Sequence, residues 1–460
     1  MLYTDTLFLL LLAAMVAVSR VLRPWPVVKE WVLIAFSLFV IASWGLTHLW
    51  IFCVVVLVNY AGAHGLARAV ERGANRSARL WLAGLIAADV GALAFFKYIQ
   101  FAVDNVSALL GRPSFHVPIG APLAISFYTF HIISYLVDLR KGRVRPTTFR
   151  EYLFYLSFFP HVIAGPIVRV WQLVPQIGKI RRVPTDWAIG LHDFAVGFFL
   201  KVAVANGIAL LIDPLWTAAP AVSLSAPDRW AAAFLYYCQI YGDFAGYSLM
   251  ALGMARLLGY RLPPNFRAPM LAASLQDFWR RWHITLSRWL RDYLYIPLGG
   301  NRVSPMRNVA NVILVMALGG LWHGAGWGFL IWGLFHGTGI AAEHIARRRG
   351  LRLPDWATWL PTQVWVLLAW VFFRSPDLAT GWSFAKGMFS WTDSSLALAP
   401  RFRFGLLLAV PILLHHAVPF LLRATPRRRL GLLLGAGTAI ALLVDAVIYS
   451  SSETFVYFKF

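Results

Sequence analysis

Two histidine-bearing stretches stand out in a chain that is otherwise mostly hydrocarbon. The first, DFWRRWHITLSRWLRDYLYIPLGGNR, runs from Asp277 to Arg302. It gathers Arg280, Arg281, Arg288, Arg291 and Arg302 around three tryptophans and His283. The second, LGGLWHGAGWGFLIWGLFHG, runs from Leu318 to Gly337 and holds His323 and His336 among glycines. Ionisable residues in or beside a membrane span are costly, and function is the default reading. A neutral imidazole, with an ordinary pKa of about 6.5, can take a proton from an acceptor hydroxyl at neutral pH. Guanidinium groups match the geometry of phosphate oxygens. Together the two stretches point to catalysis at a membrane.

Each stretch also has a structural reading. Read as one helix, Gln276–Tyr295 places Trp279, Trp282, Leu286, Trp289 and Tyr293 on one face. Asp277–Arg281 and Arg288–Asp292 form i,i+4 pairs on another. Such a helix suits a headgroup interface. The functional alternative has Arg280, Arg281, Arg288 and Arg291 hold a phosphorylated donor. His283, beside Trp282, is the part that the interfacial reading does not require. The repeated G-x-x-H-G pattern, Gly320 to Gly324 and Gly333 to Gly337, suits close helix packing as well as a narrow substrate path. A third polar cluster, YGDFAGYSLM from Tyr241 to Met250, sets Asp243 and Tyr247 in an apolar run. Its carboxylate either orients a histidine or lines the path, or it makes a helix-to-helix hydrogen bond.

Composition sets the class. Of 460 residues, 59% are hydrophobic and 13% charged, about half the charge of a soluble domain. The chain therefore reads as an all-α polytopic membrane protein in contact with the lipid bilayer. The net charge is +22, but the arginines cluster in short loops between apolar runs. That pattern fits a positive-inside bias and excludes a nucleic-acid-binding domain. Cys53 and Cys238 lie in apolar runs and suggest neither a disulfide nor a metal site. No metal is expected. The chain lacks a G-x-S-x-G elbow, a P-loop and a dinucleotide fingerprint.

Apolar segments fall roughly at 6–22, 31–46, 47–62, 80–101, 118–137, 151–168, 187–212, 229–258, 306–321, 323–345, 358–374, 405–422 and 430–450. Several are shorter than the 20 or so residues that a span needs. FYLSFFPHVIAGPIVR, Phe154 to Arg169, is the best re-entrant candidate, with Pro160, Gly165 and Pro166 as breaks and His161 among them. Basic groups mark cytoplasmic loops around Arg72, Arg143, Lys179, Arg348 and Arg428. The segment 102–117 reads as external. Asp5 before the first apolar run, with Arg20 and Arg23 after it, predicts an uncleaved first span with a periplasmic N-terminus. A single integral membrane domain over 1–460 is expected.

Five ordered motifs carry a resemblance: FFPHVIAGPIVR (158–169), YGDFAGYSLMALGMARLLGY (241–260), NFRAP (265–269), and the two histidine stretches. Together they resemble the membrane-bound O-acyltransferase (MBOAT) family, in its bacterial alginate and exopolysaccharide O-acetylation branch. The ending FVYFKF (455–460) is similar to that branch too. The core motifs lie within 154–345. The resemblance implies a ring of about 11–13 transmembrane and re-entrant helices around a thin central region with a tunnel. It implies that His323, in LWHG, is the catalytic histidine, as general base or acyl relay. His283 is implied as a second catalytic group. Trp322, Trp282, Asn265 and His336 join the arginines, Asp243 and Tyr247 as expected donor or substrate contacts. Leu249 stands where related sequences often carry an acid.

The function so implied is transfer of an acetyl group from cytoplasmic acetyl-CoA across the bacterial inner membrane. The final acceptor is an exported polysaccharide, alginate-like or cellulose-like. The partner is a periplasmic or membrane-anchored SGNH-type acyltransferase. D-alanyl transfer to teichoic acid and O-acetylation of peptidoglycan are the alternatives within the same fold. A transporter, or a scaffold subunit of a polymer-export complex, is the non-enzyme alternative.

Overall fold

The computed structural model describes residues 3–163, 165–179, 187–217, 224–351, 353–391 and 398–421. The predicted span at 430–450, the FVYFKF ending, and the basic groups at Arg181, Arg182 and around Arg428 lie outside them. The described residues form helices and no strands. Among the described residues, four helices are long and apolar enough to cross a membrane: Leu46–Glu71, Asn75–Leu109, Trp187–Trp216 and Asp355–Arg374. The chain is an all-α membrane protein. It divides into two compact units, Met1–Leu191 with Ala251–Pro263, and His192–Met250 with Pro264–Phe460.

In the first unit, Gly73 takes a positive φ of 65° and turns the chain between Leu46–Glu71 and Asn75–Leu109. The two helices touch closely, because a Cβ at Gly62 would drive into the Leu85 side chain. Asn75–Leu109 runs past the apolar stretch into the segment read as external. There Gln100 donates to Asp104 at 2.7 Å, one helical turn apart. The re-entrant candidate is broken as its prolines require. Phe149–Ser157 starts with a capping box of Thr148 and Glu151, and helix resumes only as the short turn Phe159–Val162.

The second unit carries the histidine stretches. Pro305–His323 and Trp327–Arg348 form an antiparallel hairpin across a three-residue link. The G-x-x-H-G glycines explain its closeness. A Cβ at Gly320 would meet the Phe329 carbonyl oxygen, and one at Gly333 the Met316 carbonyl oxygen. The packing reading of these glycines is therefore correct, and it also places His323 at the end of its helix. Around the hairpin, Trp279, Trp282, Trp332, Trp370 and Phe373 pack into one buried aromatic cluster.

The single helix expected over Gln276–Tyr295 is not formed. Leu275–Arg281 ends at Trp282, whose backbone is extended, and Ile284–Leu290 begins after His283. A π-helical turn, Arg291–Tyr295, follows. The cause lies in NFRAP, which runs alongside the break. Arg267 N–H donates to the Arg281 carbonyl and Ile284 N–H to the Asn265 carbonyl, both at 2.9 Å. The expected aromatic face is lost with the helix. Trp279, Trp282 and Trp289 are buried in protein rather than set in a headgroup belt.

Candidate active site

His323 is the last residue of Pro305–His323, and Gly324 leaves the helix in an extended conformation. The side chain is buried, with its ring 4.9 Å from Trp322, 5.2 Å from Trp332 and 5.4 Å from Phe373. A Cβ at Gly324 would collide with the Phe329 ring, so only glycine lets the chain turn there with Phe329 in place.

His283 sits at the break between two short helices with φ 40° and ψ 53°. A left-handed backbone at a non-glycine residue costs on the order of 1–3 kcal/mol and persists only where its surroundings fix it. Asn265 does the fixing. Its Oδ1 faces His283 Nδ1 at 3.1 Å, Thr285 Oγ1 at 2.9 Å and Thr285 N–H at 3.3 Å, while its Nδ2 donates to Ser248 Oγ at 3.2 Å. A backbone N–H can only donate, so the atom facing it is the amide oxygen. His283 Nδ1 must then also donate. In the neutral ring this leaves Nε2 as a lone-pair acceptor, and it has no hydrogen-bond partner among the described residues.

His336 has the opposite tautomer. The indole N–H of Trp279 donates to its Nδ1 at 3.4 Å, which leaves Nε2–H as a donor in the neutral ring. Phe278 stacks on it, with rings 5.6 Å apart, and Trp332 lies 4.9 Å away. His283 and His323 are 6.4 Å apart between ring centroids. Three buried imidazoles thus gather around Trp322 and Trp332. The indole N–H groups of Trp282, Trp332 and Trp370, donors only, have no hydrogen-bond partner among the described residues.

Supporting contacts hold this arrangement. Glu343 accepts from Leu275 N–H at 2.5 Å and Gln276 N–H at 3.3 Å, and so caps the helix that carries Trp279. Arg347 donates to the Gln276 side chain at 2.8 Å. The sequence reading missed Glu343. Its signal was a lone acid in the apolar run that follows His336.

The structure brings His323, His283, His336, Trp322, Trp282 and Asn265 together. It does not gather the arginines there. Arg280, Arg288 and Arg291 are exposed, and Arg281 pairs with Asp277 at 2.7 Å. Asp292 pairs with its neighbour Arg291 at 2.8 Å.

Asp243 is buried and ion-paired at 2.5 Å with Lys201, whose Nζ also donates to Asn206 at 2.9 Å. Tyr247 lies over the same ammonium at 5.8 Å. Lys201 falls in a π-helical turn, Leu200–Ala205. Gly197 and Gly246 approach so closely there that a Cβ on either would strike the other's carbonyl oxygen. Lys201 was also missed, although it is the only lysine or arginine in the 187–212 run. Another buried imidazole, His416, packs 4.6 Å from Tyr241 and donates from Nδ1 to the Ile412 carbonyl at 2.8 Å.

The chain is also similar to known proteins. The chain is 38% identical to a probable alginate O-acetylase, AlgI, of Azotobacter vinelandii, over 77% of this chain and 72% of the relative. It is also 38% identical to a peptidoglycan O-acetyltransferase of Helicobacter pylori, over 80% and 75%. A teichoic acid D-alanyltransferase of Streptococcus thermophilus is 32% identical over 47% of this chain and 55% of the relative. The profile of the membrane-bound O-acyltransferase family, MBOAT, matches residues 131–375, which include all three clustered histidines. The chain belongs to the membrane-bound O-acyltransferase family and is an acyltransferase.

Proposed function

We propose that this enzyme takes an acetyl group from cytoplasmic acetyl-CoA and delivers it across the bacterial inner membrane for O-acetylation of an exported polysaccharide. The observation that supports this most is the pair His283 and His323, two buried imidazoles 6.4 Å apart, each at the broken end of a helix. His323 acts as general base. It takes the proton of the acceptor hydroxyl while the hydroxyl oxygen attacks the thioester carbonyl carbon. The carbon–sulfur bond then breaks, and the proton passes from His323 to the leaving thiolate. His283, its Nε2 lone pair held outward by Asn265, accepts a hydrogen bond from an N–H of the donor arm and aligns the thioester. Indole N–H groups such as that of Trp332 suit the developing oxyanion.

The membrane supplies the two sides, with the N-terminus periplasmic and the chain one integral domain. An SGNH-type acyltransferase, periplasmic or membrane-anchored, carries the acetyl group onward to the polymer. Peptidoglycan is the second reading of the acceptor, favoured by the equal identity to the H. pylori enzyme. Deleting the gene and assaying both polymers for base-labile acetate separates the two. Loss from the exopolysaccharide alone supports the first reading, loss from peptidoglycan alone the second, and loss from neither contradicts both.

A further inference from the structure

The first unit holds an ionisable group that acyl transfer does not use. Asp89 lies within Asn75–Leu109, a helix long and apolar enough to cross a membrane, and is 5% exposed. Asn59, from Leu46–Glu71, donates from Nδ2 to Asp89 Oδ1 at 2.7 Å and to the Val55 carbonyl at 3.1 Å. A carbonyl can only accept, so this contact fixes which end of the amide is nitrogen, and both amide hydrogens are spent. Asn59 Oδ1 and Asp89 Oδ2 remain as buried acceptors with no hydrogen-bond partner among the described residues.

Two phenols lie nearby. Tyr128, from Ile125–Arg140, and Tyr152, from Phe149–Ser157, are buried, and their hydroxyls have no hydrogen-bond partner among the described residues. Both lie within electrostatic reach of the Asp89 carboxylate. Among the described residues no lysine, arginine or histidine pairs with Asp89. The nearest base on its own helix, Lys97, is about 12 Å further along the axis at the usual rise per residue. A carboxylate held in a membrane interior needs its charge cancelled.

We propose that Asp89, Asn59, Tyr128 and Tyr152 form a monovalent-cation site, filled by a proton or a sodium ion. All four groups offer oxygen, the ligand that hard cations take. The site carries one formal negative charge, so a divalent ion would leave a buried positive charge in its place. A sodium ion would be held by Asp89 Oδ2, Asn59 Oδ1 and the phenol oxygens. A proton would sit on Oδ2 and be donated to one of those oxygens. Either ion ties the packing of four helices to the cation supply.

The test is the thermal unfolding midpoint of the full chain in lipid nanodiscs. Sodium is titrated against choline at fixed pH, and pH is then lowered in choline. In the wild type the midpoint should climb with the logarithm of the effective cation concentration. Asp89→Asn keeps an acceptor for Asn59 but removes the charge, and should lose that slope. Asp89→Glu should retain it. A sodium response at fixed pH identifies sodium, and a response to pH alone that Asp89→Asn removes identifies the proton. Equal responses in wild type and Asp89→Asn would overturn the site. If Asp89→Asn does not fold, Tyr128→Phe and Tyr152→Phe decide instead. Each should move the half-response point to higher cation concentration, and an unmoved point in both would overturn it.

Discussion

Asn265 Oδ1 takes a hydrogen bond from His283 Nδ1 at 3.1 Å while the Thr285 backbone N–H binds the same oxygen at 3.3 Å. The second contact proves which atom is oxygen. The first therefore fixes the tautomer of a buried imidazole whose backbone is strained. Asn265 thus sets both the direction and the chemistry of His283, although the two are 18 residues apart.

Replacing Asn265 tests that role. Asn265→Ala should cut acyl transfer about tenfold or more, as expected for losing at least ~1.4 kcal/mol of alignment. Asn265→Asp keeps an acceptor for Nδ1–H and should retain more activity than Asn265→Ala. Steady-state transfer with matched expression measures both. Equal loss in the two variants would reduce Asn265 to a packing residue.

His283 should show a graded response. His283→Gln can present an amide oxygen near the place of Nε2 and should keep measurable transfer. His283→Ala should impair it strongly, mainly through a higher apparent KM for the donor. A His283→Ala enzyme with unchanged KM and kcat would remove His283 from the mechanism.

The Lys201–Asp243 pair makes a stability prediction. Lys201→Met leaves a buried carboxylate without its cation and should cost about 3–5 kcal/mol. Adding Asp243→Leu should recover most of that loss. Unfolding in detergent, read for wild type, single and double variants, checks it. A single variant as stable as the wild type would show that the pair carries no charge.

Much of this arrangement was legible in the sequence. The G-x-x-H-G spacing of Gly320–His323 and Gly333–His336 pointed to close helix packing, because glycine lets two backbones approach, although not to these two segments packing on each other as a hairpin. The break at His283 was not legible. Trp279, Trp282, Leu286, Trp289 and Tyr293 keep a helical period straight through it. The interruption is imposed by the NFRAP loop, whose backbone pairs with the chain on both sides of His283. Lys201 and Asp243 are 42 positions apart, and neither predicts the other without the close approach of Gly197 and Gly246.

The arginines divide by exposure. Arg281 is half-buried and tied to Asp277, while Arg280, Arg288 and Arg291 are open to solvent. If they hold donor phosphates, Arg281→Ala should raise the donor concentration needed for half-maximal rate more than it lowers the maximal rate. A titration of acetyl-CoA reads this directly. Unchanged donor dependence would leave the arginines with an interfacial role only.

The central claim is that His323 performs the acyl chemistry. Transfer of radiolabelled acetyl from acetyl-CoA in proteoliposomes, with the candidate periplasmic acyltransferase present, tests it most directly. The wild type should label the partner or the glycan. His323→Ala, inserted and folded to the same level, should lose transfer by about 10²–10⁴-fold, the range a positioned general base supplies. Label transferred at the wild-type rate by folded His323→Ala would contradict the account.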